Sequence, residues 1–272
     1  MKKNMTLFIV FFLTMNTLHG QNIITGSVLN EESNLPIEYV NIGVIGKNIG
    51  TVSDENGKFN LSIEAQHLND SLLFSRIGFE PLYIKILDFK ENALIKLKEK
   101  VYSFNEVIVT AQKFKKQQFG ITTESNLYRG GFINNNLGYE CGLLMKNKKK
   151  AVVKKINVNI LLCEYDTIFY RLNIYEERKK NDFENILTEP IYVAALKEDL
   201  LNGSLQIDLT ERNIIVNGSF LVTLEFIKDL GDGGLLFPLS LEQRTYFRKT
   251  SQGNWETSPW GISLSVIANV EK

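Results

Sequence analysis

Between residues 22 and 97 the apolar and β-branched side chains fall in short runs, at 23–29, 39–44, 58–63, 71–77, 82–86 and 93–97. Several of these alternate with polar positions. A period of two marks a strand with one buried face, because successive side chains point to opposite sides. The runs stop at Pro36, at Asp54-Glu55-Asn56-Gly57 and at Gly78-Phe79-Glu80-Pro81. Asn-Gly favours left-handed turn geometry and proline fixes its own φ, so each sequence ends a strand for a physical reason. Six or seven short strands in this span predict a small β-sandwich.

From Gly120 the pattern resumes, with strands expected at 140–146, 152–162, 167–175, 191–196, 204–209, 214–216, 220–226, 246–249 and 262–269. Turn signals separate them: Asn202-Gly203, Asn217-Gly218, Gly231-Asp232-Gly233-Gly234 and Gln252-Gly253-Asn254. Eight or nine strands predict a second, jelly-roll-like sandwich, and the fold class is all-β. Lys113-Phe114-Lys115-Lys116-Gln117-Gln118 reads as a polar linker, so the expected organisation is a sandwich at 22–98, a connector at 99–119 and a second sandwich at 120–272. There is no long helical period and no internal repeat.

The first twenty residues break the alternation. Lys2 and Lys3 precede the apolar run Leu7-Phe8-Ile9-Val10-Phe11-Phe12-Leu13, and Gly20 offers a small residue before Gln21. This is the form of a secretory signal peptide. The run is shorter than the roughly 20 apolar residues that span a bilayer. Removal of residues 1–20 takes two lysines from a balance of 31 basic and 31 acidic side chains, and one of the two histidines. The remainder is mildly acidic, which excludes the basic surplus of a nucleic-acid binder. A single histidine, His67, leaves little for a zinc hydrolase or a Ser-His-Asp enzyme. Cys141 and Cys163 are expected in an oxidising compartment. Were residues 139–146 and 156–165 a simple hairpin, residue 141 would face about residue 156, which argues against a direct bridge; two buried free thiols are the other reading.

One set of motifs carries a family resemblance. Gly26-Ser27-Val28, Pro36 before Val40-Asn41-Ile42, Gly50-Thr51-Val52-Ser53-Asp54-Glu55-Asn56-Gly57-Lys58-Phe59, and Phe74-Ser75-Arg76-Ile77-Gly78-Phe79 resemble the carboxypeptidase-regulatory-like domain. The resemblance implies a seven-stranded, transthyretin-like sandwich, with Gly50, Thr51, Asp54, Gly57 and Phe59 as its structural motif. Read physically, Asp54 and Gly57 make a turn, Phe59 anchors the next strand and Gly50 permits a tight backbone approach. Phe104-Asn105-Glu106-Val107-Ile108-Val109-Thr110-Ala111 is similar to the segment that joins this domain to the plug of TonB-dependent outer-membrane receptors. The 161 residues after Ala111 are too few for the barrel of that class, so no such transporter is expected. The same segment reads either as a strand that pairs with a partner or as a connector.

Candidate chemistry is sparse. Residues 146–155 hold six lysines, among them Lys148, Lys149 and Lys150. They form either a basic patch for an acidic glycan, lipopolysaccharide phosphate or teichoic-type polymer, or a solvated hairpin tip balanced by Glu164, Glu176 and Glu177. Trp255 and Trp260 bracket Glu256-Thr257-Ser258-Pro259, as a sugar-stacking platform or as caps on the open end of the sandwich. His67 reads as a surface group. Asp229 before the glycine-rich turn and Asp232 within it are too few ligands for calcium. Asp70-Ser71-Leu72 and Asp166-Thr167-Ile168 resemble envelope O-glycosylation sites. No catalytic residue, metal or cofactor is expected.

The expectation is an exported, non-enzymatic envelope protein, periplasmic or associated with the outer membrane, with no transmembrane segment after signal cleavage. It would bind or scaffold an envelope protein or glycan, not nucleic acid. The alternatives are a hydrolase of envelope polymers using paired carboxylates, and an accessory subunit of a TonB-linked uptake system.

Overall fold

The computed structural model describes residues 21–90, 92–101, 113–133, 135–200 and 203–272. The expected signal at 1–20 and the receptor-like segment at 104–111 lie outside them. Among the described residues all regular structure is strand, apart from four single-turn 3-10 helices.

The first seven strands are β1 (Gln21–Asn30), β2 (Asn41–Gly43), β3 (Gly50–Val52), β4 (Lys58–Glu64), β5 (Ser71–Ser75), β6 (Leu82–Lys85) and β7 (Ala93–Leu97). They form a sandwich of a three-stranded sheet, β4-β1-β7, and a four-stranded sheet, β3-β2-β5-β6. β1 runs antiparallel to β4 and parallel to β7. In β4 the pattern is strictly alternating: Phe59, Leu61 and Ile63 are buried and their neighbours exposed. They meet Val28, Ile42, Leu72, Phe74 and Leu97 in one core. At about 25 cal/mol per Å² of apolar area removed from water, such side chains supply the main drive for folding.

The second set is β8 (Phe114–Gly120), β9 (Arg129–Phe132), β10 (Glu140–Met145), β11 (Lys150–Asn159), β12 (Leu162–Cys163), β13 (Thr167–Lys179), β14 (Asp182–Asn185), β15 (Ile191–Leu196), β16 (Ser204–Asp208), β17 (Ile215–Asn217), β18 (Phe220–Phe226), β19 (Leu235–Ser240), β20 (Thr245–Arg248), β21 (Glu256–Ser258), β22 (Gly261–Ile262) and β23 (Leu264–Glu271). A seven-stranded sheet runs β14-β13-β18-β10-β20-β21, with β15 also on β13. A five-stranded sheet, β16-β11-β23-β8 with β17 on β11, and a smaller one built on β19 complete the layers. The large core draws on both main sheets, with Leu143, Leu172, Val222 and Leu224 from one and Val153, Ile156, Val266 and Ala268 from the other.

One expectation is corrected. The segment read as a polar linker, Lys113 to Gln118, is largely strand β8, paired with β23 along its whole length. Only Phe119 of that strand is buried in the core, and Lys115, Lys116, Gln117 and Gln118 are exposed. A lysine-rich edge strand resists unwanted pairing, and its composition is then that of a linker. Residues 139–146 and 156–165 are not neighbouring strands of a hairpin: β10 pairs with β18 and β20, whereas β11 lies in the opposite sheet. Cys141 on β10 and Cys163 on β12 are both buried free thiols. Burial pushes both thiols up, so neither is a ready nucleophile.

Candidate functional site

Strand β13 has two buried faces. Tyr170, Leu172 and Ile174 point into the large core, so Arg171, Asn173 and Tyr175 occupy the opposite face by the period of two. There the strand register places four charged residues in one row: Arg171 opposite Glu225, Glu225 opposite Glu140, and Glu140 opposite Arg248. The order across the sheet is plus, minus, minus, plus. Glu225 Oε2 accepts from Arg171 Nε at 3.0 Å, from Arg171 Nη2 at 2.9 Å and from Asn173 Nδ2 at 2.8 Å. Glu140 Oε1 accepts from Asn173 Nδ2 and the Tyr175 hydroxyl, each at 2.9 Å, and from Thr223 Oγ1. Its Oε2 lies 2.6 Å from Arg248 Nη2.

Like charges directly opposite destabilise a sheet, and burial raises that cost. The outer arginines and the bridging Asn173 oppose it unequally. Burial pushes the Glu140 carboxyl up, with Glu225 adding to the rise while Arg248 works against it. Burial acts on Glu225 in the same direction, but Arg171 and Arg248 outweigh it and hold this carboxyl below its usual range. Glu225 is therefore the firmly ionised member of the pair.

The row joins the two sandwiches. Arg171 Nη1 donates to the Tyr39 carbonyl at 2.8 Å, and Nη2 donates to Asn41 Oδ1. Tyr39 adopts the left-handed conformation, φ 52°, which is costly for a bulky side chain and persists only where its surroundings enforce it. Its ring contacts Phe169 and Tyr192, with centroids 5.5 and 5.4 Å away. Val52 and Ile227 complete a small apolar cluster around it. Nearby, the turn after β20 sits against β2 and β3: Gly46 N donates to the Gln252 carbonyl, Gln252 Nε2 donates to Ser75 Oγ at 2.7 Å, and Asn254 Nδ2 donates to the Gly46 carbonyl.

The structural motif occupies this junction and the turn beside it. A Cβ on Gly50 would stand 2.3 Å from the Ser251 carbonyl oxygen, and one on Gly43 2.4 Å from the same atom. The close approach made at Gly50 is thus by the second sandwich. Thr51 lies beside Gly50 and is nearly buried. Asp54 Oδ1 accepts from the amides of Asn56 and Lys58, closing the turn, and Gly57 has φ 73° with the Val28 carbonyl where a Cβ would be. Phe59 is buried edge-on against Phe74, with Gly26 making room for its ring.

A cavity of about 320 Å³ opens beside the charged row, with Asn41, Arg76, Asn185, Arg248 and Gln252 among its lining residues. Arg76, Arg171 and Arg248 line it together with amide side chains, while the two acids of the row have no exposed surface. Both acids are engaged by arginines, which is not the arrangement of two carboxylates facing across an open cleft.

The tryptophans separate to the two ends of β21. Trp255 packs edge-on with Tyr175 and Phe183, and the Arg248 guanidinium lies 5.1 Å from its ring centroid. Trp260 packs against Tyr128 in a tilted pair, with ring centroids 4.3 Å apart. Both are half-buried, and no ring contact joins them. His67 is held rather than freely solvated: its Nδ1 lies 2.9 Å from Asp70 Oδ2, which also pairs with Lys47. Asp229 accepts from the Gly231 amide as a plain turn residue. Among the described residues no cluster of His, Cys, Asp and Glu could hold a metal ion, and no helix is long and apolar enough to cross a membrane.

Lys148 and Lys149 sit in the turn between β10 and β11, on the wall of a separate open groove of about 770 Å³. Lys150 begins β11, where it pairs with Asn217, and does not line the groove. The acids expected to balance this run are dispersed. Glu176 is buried and bonded to Asn217 and Arg178, Glu164 lies beside Gly234, and Glu177 alone of the three lines the groove.

The charged row could not be found from the sequence, because it depends on the register of four strands spread over more than a hundred residues. The one available signal was a Glu or Arg inside otherwise apolar runs, as at Arg171 and Glu225. Comparison with known proteins places the N-terminal sandwich. Residues 24–109 match the CarboxypepD_reg-like domain family, which carries the resemblance into the segment before Ala111. TonB-dependent receptor P39 of Formosa agariphila is 34% identical over 96 residues, covering 35% of this chain and 9% of that protein. This chain therefore carries a CarboxypepD_reg-like domain followed by a β-sandwich, and spans less than a tenth of the length of that curated relative.

Proposed function

We propose that the protein is an exported, non-enzymatic module of the cell envelope, periplasmic or outer-membrane-associated. Its N-terminal sandwich is a docked structural piece and its C-terminal sandwich presents the binding surface. The observation that carries this reading is the charged row. Four buried ionisable groups of the seven-stranded sheet, Arg171, Glu225, Glu140 and Arg248, engage one another, and Arg171 also bonds to the backbone of the first sandwich. Their work is to join two bodies, which suits a scaffold or binding module. The similarity of the first domain to part of a TonB-dependent receptor supports the envelope setting.

Fractionation of cells producing the full chain tests the proposal. Recovery in the periplasmic or outer-membrane fraction, cut before Gln21, is expected; an uncleaved chain in the cytoplasmic fraction would refute it. The same similarity favours a second reading, an accessory subunit of a TonB-linked uptake system. Cross-linking in envelope extracts that recovers no receptor or TonB component would remove that one.

A further inference from the structure

We infer that the groove at the β10–β11 turn binds a linear anionic polysaccharide, one bearing carboxylate or sulfate groups along its chain. This rests on the binding-module reading and names its ligand class. Six lysines line the groove and come from four places in the chain: Lys115 of β8, Lys146, Lys148 and Lys149 of the turn, Lys180 after β13, and Lys272 after β23. All six are exposed, and none forms an ion pair among the described residues. Two acids, Glu177 and Glu271, share the walls, so the groove keeps a positive excess while the 31 basic and 31 acidic side chains of the whole sequence balance. A hairpin tip made soluble by lysines needs no contribution from β8, β13 or β23. Convergence from distant segments builds a local field that concentrates an anionic ligand.

The lysine-bearing turn is also held in place. Asn147 Nδ2 donates to the Lys149 carbonyl at 2.5 Å, Ser219 Oγ donates to the Asn147 carbonyl, and the Gly218 amide donates to the Lys149 carbonyl. A fixed backbone lowers the ordering cost on binding. Tyr246 lines the same groove, with its ring braced edge-on by Phe183 at 5.4 Å. A half-buried aromatic ring among lysines suits a sugar, which offers an apolar face beside its charged groups. A bilayer is a poorer match. Membrane-surface elements combine basic groups with protruding apolar anchors, whereas Leu144 is half-buried and Val270 buried, and among the described residues no exposed large apolar side chain lines the groove.

The test is affinity electrophoresis of the full chain through gels containing polygalacturonate, heparin or neutral dextran, together with flotation on phosphatidylglycerol vesicles. Retardation by at least one of the two anionic polymers, none by dextran, and loss of retardation with added salt are expected. Lys148→Glu/Lys149→Glu should weaken binding about tenfold or more. Lys180→Glu, on a separate turn, should weaken it too, and Lys85→Glu on the first sandwich should leave it unchanged. An unaltered thermal midpoint shows that the groove variants remain folded. Retardation by neither anionic polymer, equal retardation of the groove variants, or binding to vesicles without binding to polymer would each overturn the inference. If the chain still fractionates with the envelope, those results remove the ligand and leave the module reading standing.

Discussion

The domain junction and the lysine groove both concentrate charge, and they treat it in opposite ways. At the junction two arginines and two glutamates are buried in one row and matched one for one, with Asn173, Tyr175 and Thr223 supplying further bonds. In the groove six lysines share the walls with two acids and stand in water. Burial explains the difference. A charge withdrawn from water must be paired or it destabilises the fold by several kcal/mol, whereas a solvated lysine costs almost nothing to leave unmatched. Matched charge holds a structure together; unmatched charge at the surface remains available to a partner.

That contrast breaks most visibly at Arg171. Arg171→Leu leaves Glu225 buried without its main partner and removes the donors to Tyr39 and Asn41. A loss of about 3–5 kcal/mol is expected in urea unfolding. The two acids should differ next. Glu225 is held below the usual carboxylate range, so its contribution is complete above about pH 4.3, the unfolded value, and fades as pH falls through its lower folded value. Glu140 is pushed the other way, so the fold favours its protonated form and gains as pH falls through that raised value. Glu225→Gln should therefore destabilise more than Glu140→Gln at neutral pH and flatten the loss of stability in acid. Equal urea midpoints for the two variants would contradict this assignment.

Packing at the same junction gives a smaller effect. Gly50→Ala would press a methyl group onto the Ser251 carbonyl and should cost about 1–3 kcal/mol. Gly218→Ala has open space around it and only its φ of 87° to offend, so about 1 kcal/mol is expected. At the bottom of the scale, Lys148→Glu/Lys149→Glu should shift stability by no more than about 0.5 kcal/mol. A large loss there would mean that the groove lysines are structural after all.

The sequence was most legible where one strand speaks for itself. The alternation in β4, the Asp54–Gly57 turn and the apolar run of β18 predict their own structure. The first sandwich emerges with seven strands because its turns are punctuated by glycine and proline. Strands that depend on a neighbour were missed. β8 carries linker chemistry because it lies at a sheet edge, and β3, β9, β12, β14, β21 and β22 are too short to show a period. The junction was hidden for a further reason. Gly50 announces a close approach, yet only the tertiary arrangement reveals that Ser251 makes it. The lysine run was visible, but Lys115, Lys180 and Lys272 join it through three other segments, so its size as a surface was not.

Scanning calorimetry of the wild-type chain beside Arg171→Leu tests the central claim, that matched buried charge makes the two sandwiches one cooperative body. One transition in the wild type is expected, separating into two in the variant as the first sandwich loses its anchor. Two independent transitions in the wild type, or a single transition with an unchanged midpoint in the variant, would contradict it.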